Sequence, residues 1–312
     1  MGYGCLARVR EISLVGDRLF GDWYKVSGCS TPMVEAVFWT DVLTFAAEIS
    51  HRIGAELTEK FGKLTAVRKA DGSLVTEADK WSDVEIRQAI AKTFPDHGIL
   101  SEETEHIFPA TDWCWVIDPI DGTTNFTRGI PIWGISLGLL YKGTPVFGYV
   151  HFPWLRQSFH GYWYGDSGLT GPTGAFCNDE PLQTSDDEPS LNHIFNLCAR
   201  STAVAAQPDF PCKIRLMGVA SYNVLIVAAG AALGGVEATS KIWDIAAVWA
   251  IIQAAGGAIE SLEPNPMFPL KAGKNYGDRP FPCLTASRAE LIPVFKPWVQ
   301  FIGDQVCEKY GL

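Results

Sequence analysis

The stretch from Trp115 to Phe126, Trp-Val-Ile-Asp-Pro-Ile-Asp-Gly-Thr-Thr-Asn-Phe, constrains this chain more than any other. An apolar run stops at two aspartates, Asp118 and Asp121, with Pro119 between them and Gly122 directly after. The run reads as a strand. Pro119 restricts the backbone and Gly122 permits a tight turn, so both carboxylates converge beside exposed backbone amides. Hard divalent cations such as Mg²⁺ prefer carboxylate and carbonyl oxygens, and the Ile120 carbonyl lies between the two acids. By itself the segment suits a strand end with two solvated aspartates equally well.

The chain has 312 residues, enough for one large domain or two joined ones. Its 47% hydrophobic and 19% charged content reads as globular rather than disordered. A formal charge of −10 argues against nucleic acid or an anionic membrane as partner, because both need a cationic face. A small phosphorylated substrate stays open if something other than Lys and Arg neutralises it. The eight cysteines include no C-x-x-C pair, which predicts free thiols in a reducing, cytoplasmic setting. No long apolar core follows a basic start at the N-terminus, so a secretory signal is not expected. Leu216 to Val236 carries no charge, but Ser221, Asn223 and four glycines dilute it, and it reads as a loop plus a buried helix. The six histidines show no metal-ligand spacing along the chain, and ordinary surface or packing roles are expected for them.

Residues 1–32 show little periodicity and read as a flexible extension, with Met33 opening the first convincing element. Apolar residues at helical spacing from Val37 to Leu57 predict a helix over 33–61. Asp71-Gly72 is a turn signal, and a second helix is expected from Glu77 to Phe94, closed by Pro95. Short strand-like runs follow at 98–100, 113–117, 132–141, 146–152 and 157–163, separated by turns, which predicts a largely antiparallel sheet. The turn-rich segment 165–188 reads as the boundary between an N-terminal α+β half (33–180) and a C-terminal α/β half (181–312). In the second half a strand is expected at 193–199, with helices from Tyr222, over 245–255 and near 289–302.

Other acids stand near element ends. Glu102-Glu103 follow the strand-like Gly98-Ile99-Leu100, and Asp244 suits the N-cap of the helix that ends at Gly256-Gly257. Thr76-x-x-Asp79 matches a capping box, yet Asp79 also extends the inward stripe of Ile86, Ile90 and Phe94. An acid on that stripe needs a metal, a hydroxyl or an amide as partner.

Val75-Thr76-Glu77-Ala78-Asp79, Glu102-Glu103, Asp118–Phe126 and Trp243–Ala247 with Ala254–Gly257, in that order, resemble the inositol monophosphatase family of Mg²⁺-dependent, lithium-sensitive sugar phosphatases. The resemblance runs from about Met33 to the C-terminus. It implies a layered αβαβα sandwich and, as one assembly, a homodimer. It implies that Glu102, Asp118, Asp121, Asp244 and the Ile120 carbonyl hold two Mg²⁺, with Glu103 on a weaker third. Thr123 and Asp79 would act on the nucleophilic water, with Glu102 as a third catalytic residue. The backbone at Gly122 and Thr123 would cradle the phosphate. Gly218, Val219, Ala220 and Glu237 would meet the substrate hydroxyls, together with Asp121 and Asp244. Val219 stands where the family often has a hydroxyl residue, Ser101 where Gly is usual, and Gln253-Ala254 where Glu-Ala is common. Substrate choice is what these departures affect.

The implied function is Mg²⁺-dependent hydrolysis of a phosphate monoester, inositol 1-phosphate first, by direct attack of water. Phe94–Gly98 and Arg128–Trp133 also resemble histidinol-phosphate phosphatases, and fructose 1,6-bisphosphate is a further substrate for this type of centre. The reading from another class is a regulatory binding protein that keeps the fold without the catalysis.

Overall fold

The computed structural model describes residues 32–69 and 74–312. The extension expected over 1–32 lies, but for Pro32, outside the described residues, and so does the Asp71-Gly72 turn. The strands flanking that turn, β1 (Val67–Arg68) and β2 (Leu74–Val75), pair antiparallel. Helices α1 (Pro32–Lys60) and α2 (Glu77–Thr93) form where the apolar spacing predicts them.

Seven strands follow in one sheet, in spatial order: β3 (Gly98–Ser101), β4 (Trp113–Asp121), β5 (Gly134–Tyr141), β6 (Thr144–Phe152), β7 (Gln157–Tyr162), β8 (Gly174–Cys177) and β9 (Glu180–Leu182). Only β3 and β4 run parallel; every other neighbouring pair is antiparallel. The sheet's last strand ends at Leu182, within the segment expected to separate the halves. A short helix, α3 (Thr123–Arg128), leaves the end of β4.

A five-stranded sheet occupies the second half, in the order β11 (Lys213–Arg215), β10 (Ile194–Leu197), β12 (Gly234–Glu237), β14 (Cys283–Ala286) and β13 (Ala258–Ser261). It is mixed: β10 runs parallel to β11 and β12, while β14 runs antiparallel to β12 and β13. Helices α4 (Ala220–Ala228), α5 (Ile242–Ala254) and α6 (Ile292–Tyr310) complete the chain.

The layers follow from which faces are apolar. Trp115, Ile117, Leu137 and Phe147 on one face of the large sheet pack with Ile49, Ile53 and Leu57 of α1 and Ile86 and Ile90 of α2. Cys114, Val116, Val150 and Phe152 on the other face pack with α4 and α5. Phe195, Leu197, Val236 and Leu284 of the small sheet pack on Phe295, Val299 and Ile302 of α6. The result is an αβαβα sandwich. None of the described helices is long and apolar enough to cross a membrane, and Leu216–Val236 folds as a loop, α4 and the start of β12.

Among the boundaries that differ from the sequence expectation, two bear on how the acids are placed. The strand expected to stop at Ile117 continues to Asp121, because pairing with β5 survives Pro119 through a register shift between Asp118 and Asp121. The helix expected from Ile245 begins at Ile242, so Asp244 is not its N-cap but sits one turn inside, where its carboxylate accepts from the Lys241 amide at 2.8 Å.

Candidate active site

Along a regular strand, side chains three apart point to opposite faces. Asp118 pairs with Ser136 and Asp121 with Gly134, so three steps on β4 match two on β5. The extra residue is a bulge, and it turns Asp121 to the same side as Asp118. That side carries Cys114 and Val116, the face covered by α5. Gly122 then turns the chain at φ +91°, where its missing Cβ also leaves room for a Val219 methyl 2.6 Å from the Cβ position.

Asp244 reaches this point because α5 lies unusually close to the sheet. A Cβ on Gly148 would stand 2.0 Å from the Ala247 carbonyl oxygen, and one on Gly138 2.8 Å from the Ala247 amide nitrogen. Glycines on the strands and Ala246-Ala247 on the helix permit the backbone approach. Oxygens of Asp118, Asp121 and Asp244 consequently lie within 4.8 Å of one another.

Glu102 and Glu103 are placed differently. Both accept from the Lys69 ammonium, at 2.8 and 2.5 Å. Burial opposes the lysine's charge, but the two glutamates more than offset it and hold Lys69 above the ordinary lysine value. Burial also pushes Glu102 up to about 7 despite Lys69, with the charges of Glu103 and Asp79 adding to the rise.

Asp79 combines the two roles that the sequence left open. Its Oδ2 accepts from the Thr76 amide at 2.7 Å and the Thr76 hydroxyl at 2.6 Å, closing the cap of α2. Its Oδ1 accepts from the Thr123 hydroxyl at 3.1 Å, and the Ile120 carbonyl lies at the same distance from that hydroxyl. Burial raises the Asp79 carboxyl, opposed by the bonds from Thr76 and Thr123.

The fourth wall comes from the second half. Asp121 Oδ2 accepts from the Ser221 amide at 2.8 Å at the start of α4. Glu237 is buried and accepts from Asn223 at 2.6 Å; burial pushes it up to about 7, with Asp121 adding to the rise. Asn125 ties the wall down by donating to the Ile132 carbonyl at 2.9 Å and the Met217 carbonyl at 3.0 Å, beside Gly218. Val219 is 2% exposed with a methyl against Gly122, so its side chain is packing. Ala220, next in the chain, is half-buried.

The sequence reading missed Lys69, Asn223, Ser221 and Asn125 as parts of this site. Lys69 looks like one more charge in a polar loop, and Ser221 acts through its backbone, so neither carries a side-chain signal. Asn125 lies inside the Asp118–Phe126 segment, and its role depends on a contact 92 positions away.

Burial pushes Asp118 and Asp244 well above the ordinary carboxylate range; neighbouring acids add to it, Glu102 first for Asp118 and Asp121 first for Asp244. A cation placed among them would favour their charged forms. Lys69 is engaged by the glutamates and Lys241 by the Gly277 carbonyl. The gathered donors, Asp118, Asp121 and Asp244, are all carboxylates, so they fit a hard divalent cation; Glu102 is not among the gathered oxygens.

A layered α/β sandwich with buried acids gathered between the large sheet and α5 suits a metal-dependent phosphatase. The inositol monophosphatase family model matches residues 39–289, and the chain belongs to that family. It is 31% identical over 239 residues to the inositol-1-monophosphatase of Synechocystis, covering 72% of this chain and 80% of that protein. It is 30% identical over 238 residues to the histidinol-phosphatase of Chlorobaculum parvum, covering 70% of this chain and 85% of that protein. Among solved structures, the Thermotoga maritima IMPase superposes with a TM-score of 0.69 at 28% identity, covering 86% of this chain and 99% of that one.

Proposed function

We propose that this phosphatase is a Mg²⁺-dependent phosphate monoester hydrolase whose first substrate is inositol 1-phosphate. The observation that carries the proposal is the gathering of Asp118, Asp121 and Asp244 beside the Asp79–Thr123 pair. Bound Mg²⁺ would supply positive charge against the phosphoryl oxygens and make a water more acidic. Glu102, Asp118, Asp121, Asp244 and the Ile120 carbonyl are the groups that would hold it, and Glu103 would serve a third ion once parted from Lys69.

The chain's own residues have distinct tasks in this reading. Thr123 orients the attacking water, and its hydroxyl passes the proton to Asp79 Oδ1. An Asp79 carboxyl raised by burial suits a proton acceptor better than an ordinary surface aspartate. The backbone at Gly122 and Thr123 meets the phosphate. Glu237, held by Asn223, and the Gly218–Ala220 backbone meet substrate hydroxyls. Attack is direct and in line, and retention of configuration with a chiral phosphate would count against it.

A second reading, histidinol phosphate as substrate, is favoured by the similarity to the Chlorobaculum histidinol-phosphatase. Phosphate release from inositol 1-phosphate, histidinol phosphate and fructose 1,6-bisphosphate, with and without Mg²⁺, separates the readings. Release from none of the three would instead support a non-catalytic binding protein.

A further inference from the structure

Histidines with no spacing pattern along the sequence come together on the far face of the large sheet. His51 stands on α1 and His151 on β6, with ring centroids 4.3 Å apart. Both turn a nitrogen toward one hydroxyl: His151 Nδ1 lies 2.9 Å and His51 Nε2 3.1 Å from Ser158 Oγ. Ser158 is the partner of His151 across the β6–β7 ladder, so the backbone fixes their approach. Tyr149, two residues before His151 on β6, packs in the core under α1 and α2. His151 therefore points away from the α5 face that carries Asp118 and Asp121.

The pair opens into a cavity of about 650 Å³ between α1 and the sheet. Glu48, exposed and three residues before His51, lies on the same face of α1. Glu48 and Asp179 against Arg156 leave the lining with an excess of one negative charge. Burial, and secondarily the facing His51, lowers His151 to about 4, so its imidazole is neutral at pH 7 and keeps a lone pair.

We propose that His51 and His151, with Glu48 as third ligand, form a binding site for an imidazole-seeking divalent transition ion of the Zn²⁺ class. Imidazole nitrogen suits Zn²⁺, Cu²⁺ and Ni²⁺, whereas carboxylate and carbonyl oxygens suit Mg²⁺, so the two centres select different ions. A cation about 2 Å from each nitrogen sits in the wedge now spanned by the Ser158 hydroxyl. Whichever ring now points its N–H at Ser158 moves that proton to its other nitrogen and frees the lone pair. The Ser158 hydroxyl, now 2.9 and 3.1 Å from the two nitrogens, turns to another rotamer to admit the ion. Glu48, unrestrained on the helix surface, swings in to supply the carboxylate. This pattern of two histidines and one carboxylate leaves coordination positions open to water or a small ligand.

The test uses tag-free full-length protein in millimolar Mg²⁺, which keeps the carboxylate centre occupied. Calorimetric titration with Zn²⁺ should show one site per chain, and Cu²⁺ at one equivalent should give an electron paramagnetic resonance spectrum with splitting from two nitrogens. His51→Ala removes an exposed side chain. It should weaken Zn²⁺ at least about tenfold, reduce the copper splitting to one nitrogen, and leave Mg²⁺-supported phosphate release unchanged. Glu48→Gln should weaken Zn²⁺ without changing the nitrogen count. Equal Zn²⁺ affinity in wild type and His51→Ala, or a copper spectrum without two nitrogens, overturns the proposal.

Discussion

The Thr123 hydroxyl lies 3.1 Å from Asp79 Oδ1, while Oδ2 of that carboxylate closes the cap of α2. One aspartate thus fixes a helix start and accepts from the hydroxyl proposed to orient the attacking water, which makes its rotamer a property of the fold. Thr123→Ala should lower kcat about 100- to 10,000-fold. Asp79→Asn should do the same and also cost about 1 kcal/mol of stability through the weakened cap. If the two act as one proton path, the double variant loses little more than either single one. Multiplying losses in phosphate-release assays would show independent roles.

Asp118→Asn addresses the acid cluster directly. Asp118 is buried beside Glu102, Asp121 and Asp244, so the substitution removes a proposed ligand and also relieves repulsion. Mg²⁺-dependent turnover should vanish, yet the metal-free protein should unfold at a higher temperature than wild type. Thermal unfolding with and without Mg²⁺ checks both, and wild-type turnover in the variant would refute the assignment.

Stability of the metal-free protein should fall as pH rises. Glu102 and Glu237 are raised from 4.5 to about 7, chiefly by burial. The native state therefore holds these protons more tightly than the unfolded chain does. The resulting stability is fully present below pH 4.5 and is lost as pH climbs through 7. Glu237→Gln should flatten this part of the profile, and Mg²⁺ should offset the loss by favouring charged carboxylates. Denaturant midpoints from pH 5 to 8 measure it; identical slopes in wild type and Glu237→Gln would contradict the burial argument.

Asn125→Ala should act on substrate binding. The amide holds Ile132 and Met217, and so the loop that carries Gly218, without contacting the acid cluster in the structure. Losing both bonds should raise KM for the phosphate ester more than it lowers kcat, at a stability cost of about 1–3 kcal/mol. Steady-state kinetics at saturating Mg²⁺ provide the readout.

The legible parts of this site were those encoded locally. Asp118, Pro119, Asp121 and Gly122 announce a turn with two acids, and Thr76-x-x-Asp79 announces a cap, because each pattern closes within a few residues. Their convergence was expected from Pro119 and Gly122, but the bulge that achieves it was not legible, since period two alone sets Asp118 and Asp121 opposite. Asp244 read as an N-cap because helix propensity does not reveal that Ile242 and Trp243 already belong to α5. Lys69 with Glu102, Asn125 with Met217 and His51 with His151 are pairs made by topology, and spacing along the chain carries no trace of them.

The last prediction tests how Asp244 is brought to the cluster. If the close approach of α5 places it, crowding the contact should disturb metal binding from a distance. Gly148→Ala puts a Cβ 2.0 Å from the Ala247 carbonyl oxygen, and backbone cannot rotate away as a side chain can. The helix must shift, at a cost of about 1–3 kcal/mol, and Asp244 moves with it. The Mg²⁺ concentration for half-maximal activity should rise, with KM at saturating Mg²⁺ changing less. Gly168→Ala is the control: its φ of +75° strains the new residue, but nothing lies within 4 Å of the added Cβ. It should lower stability slightly and leave the Mg²⁺ requirement alone. An equal shift in both variants would show that general loosening, not the position of Asp244, governs metal affinity.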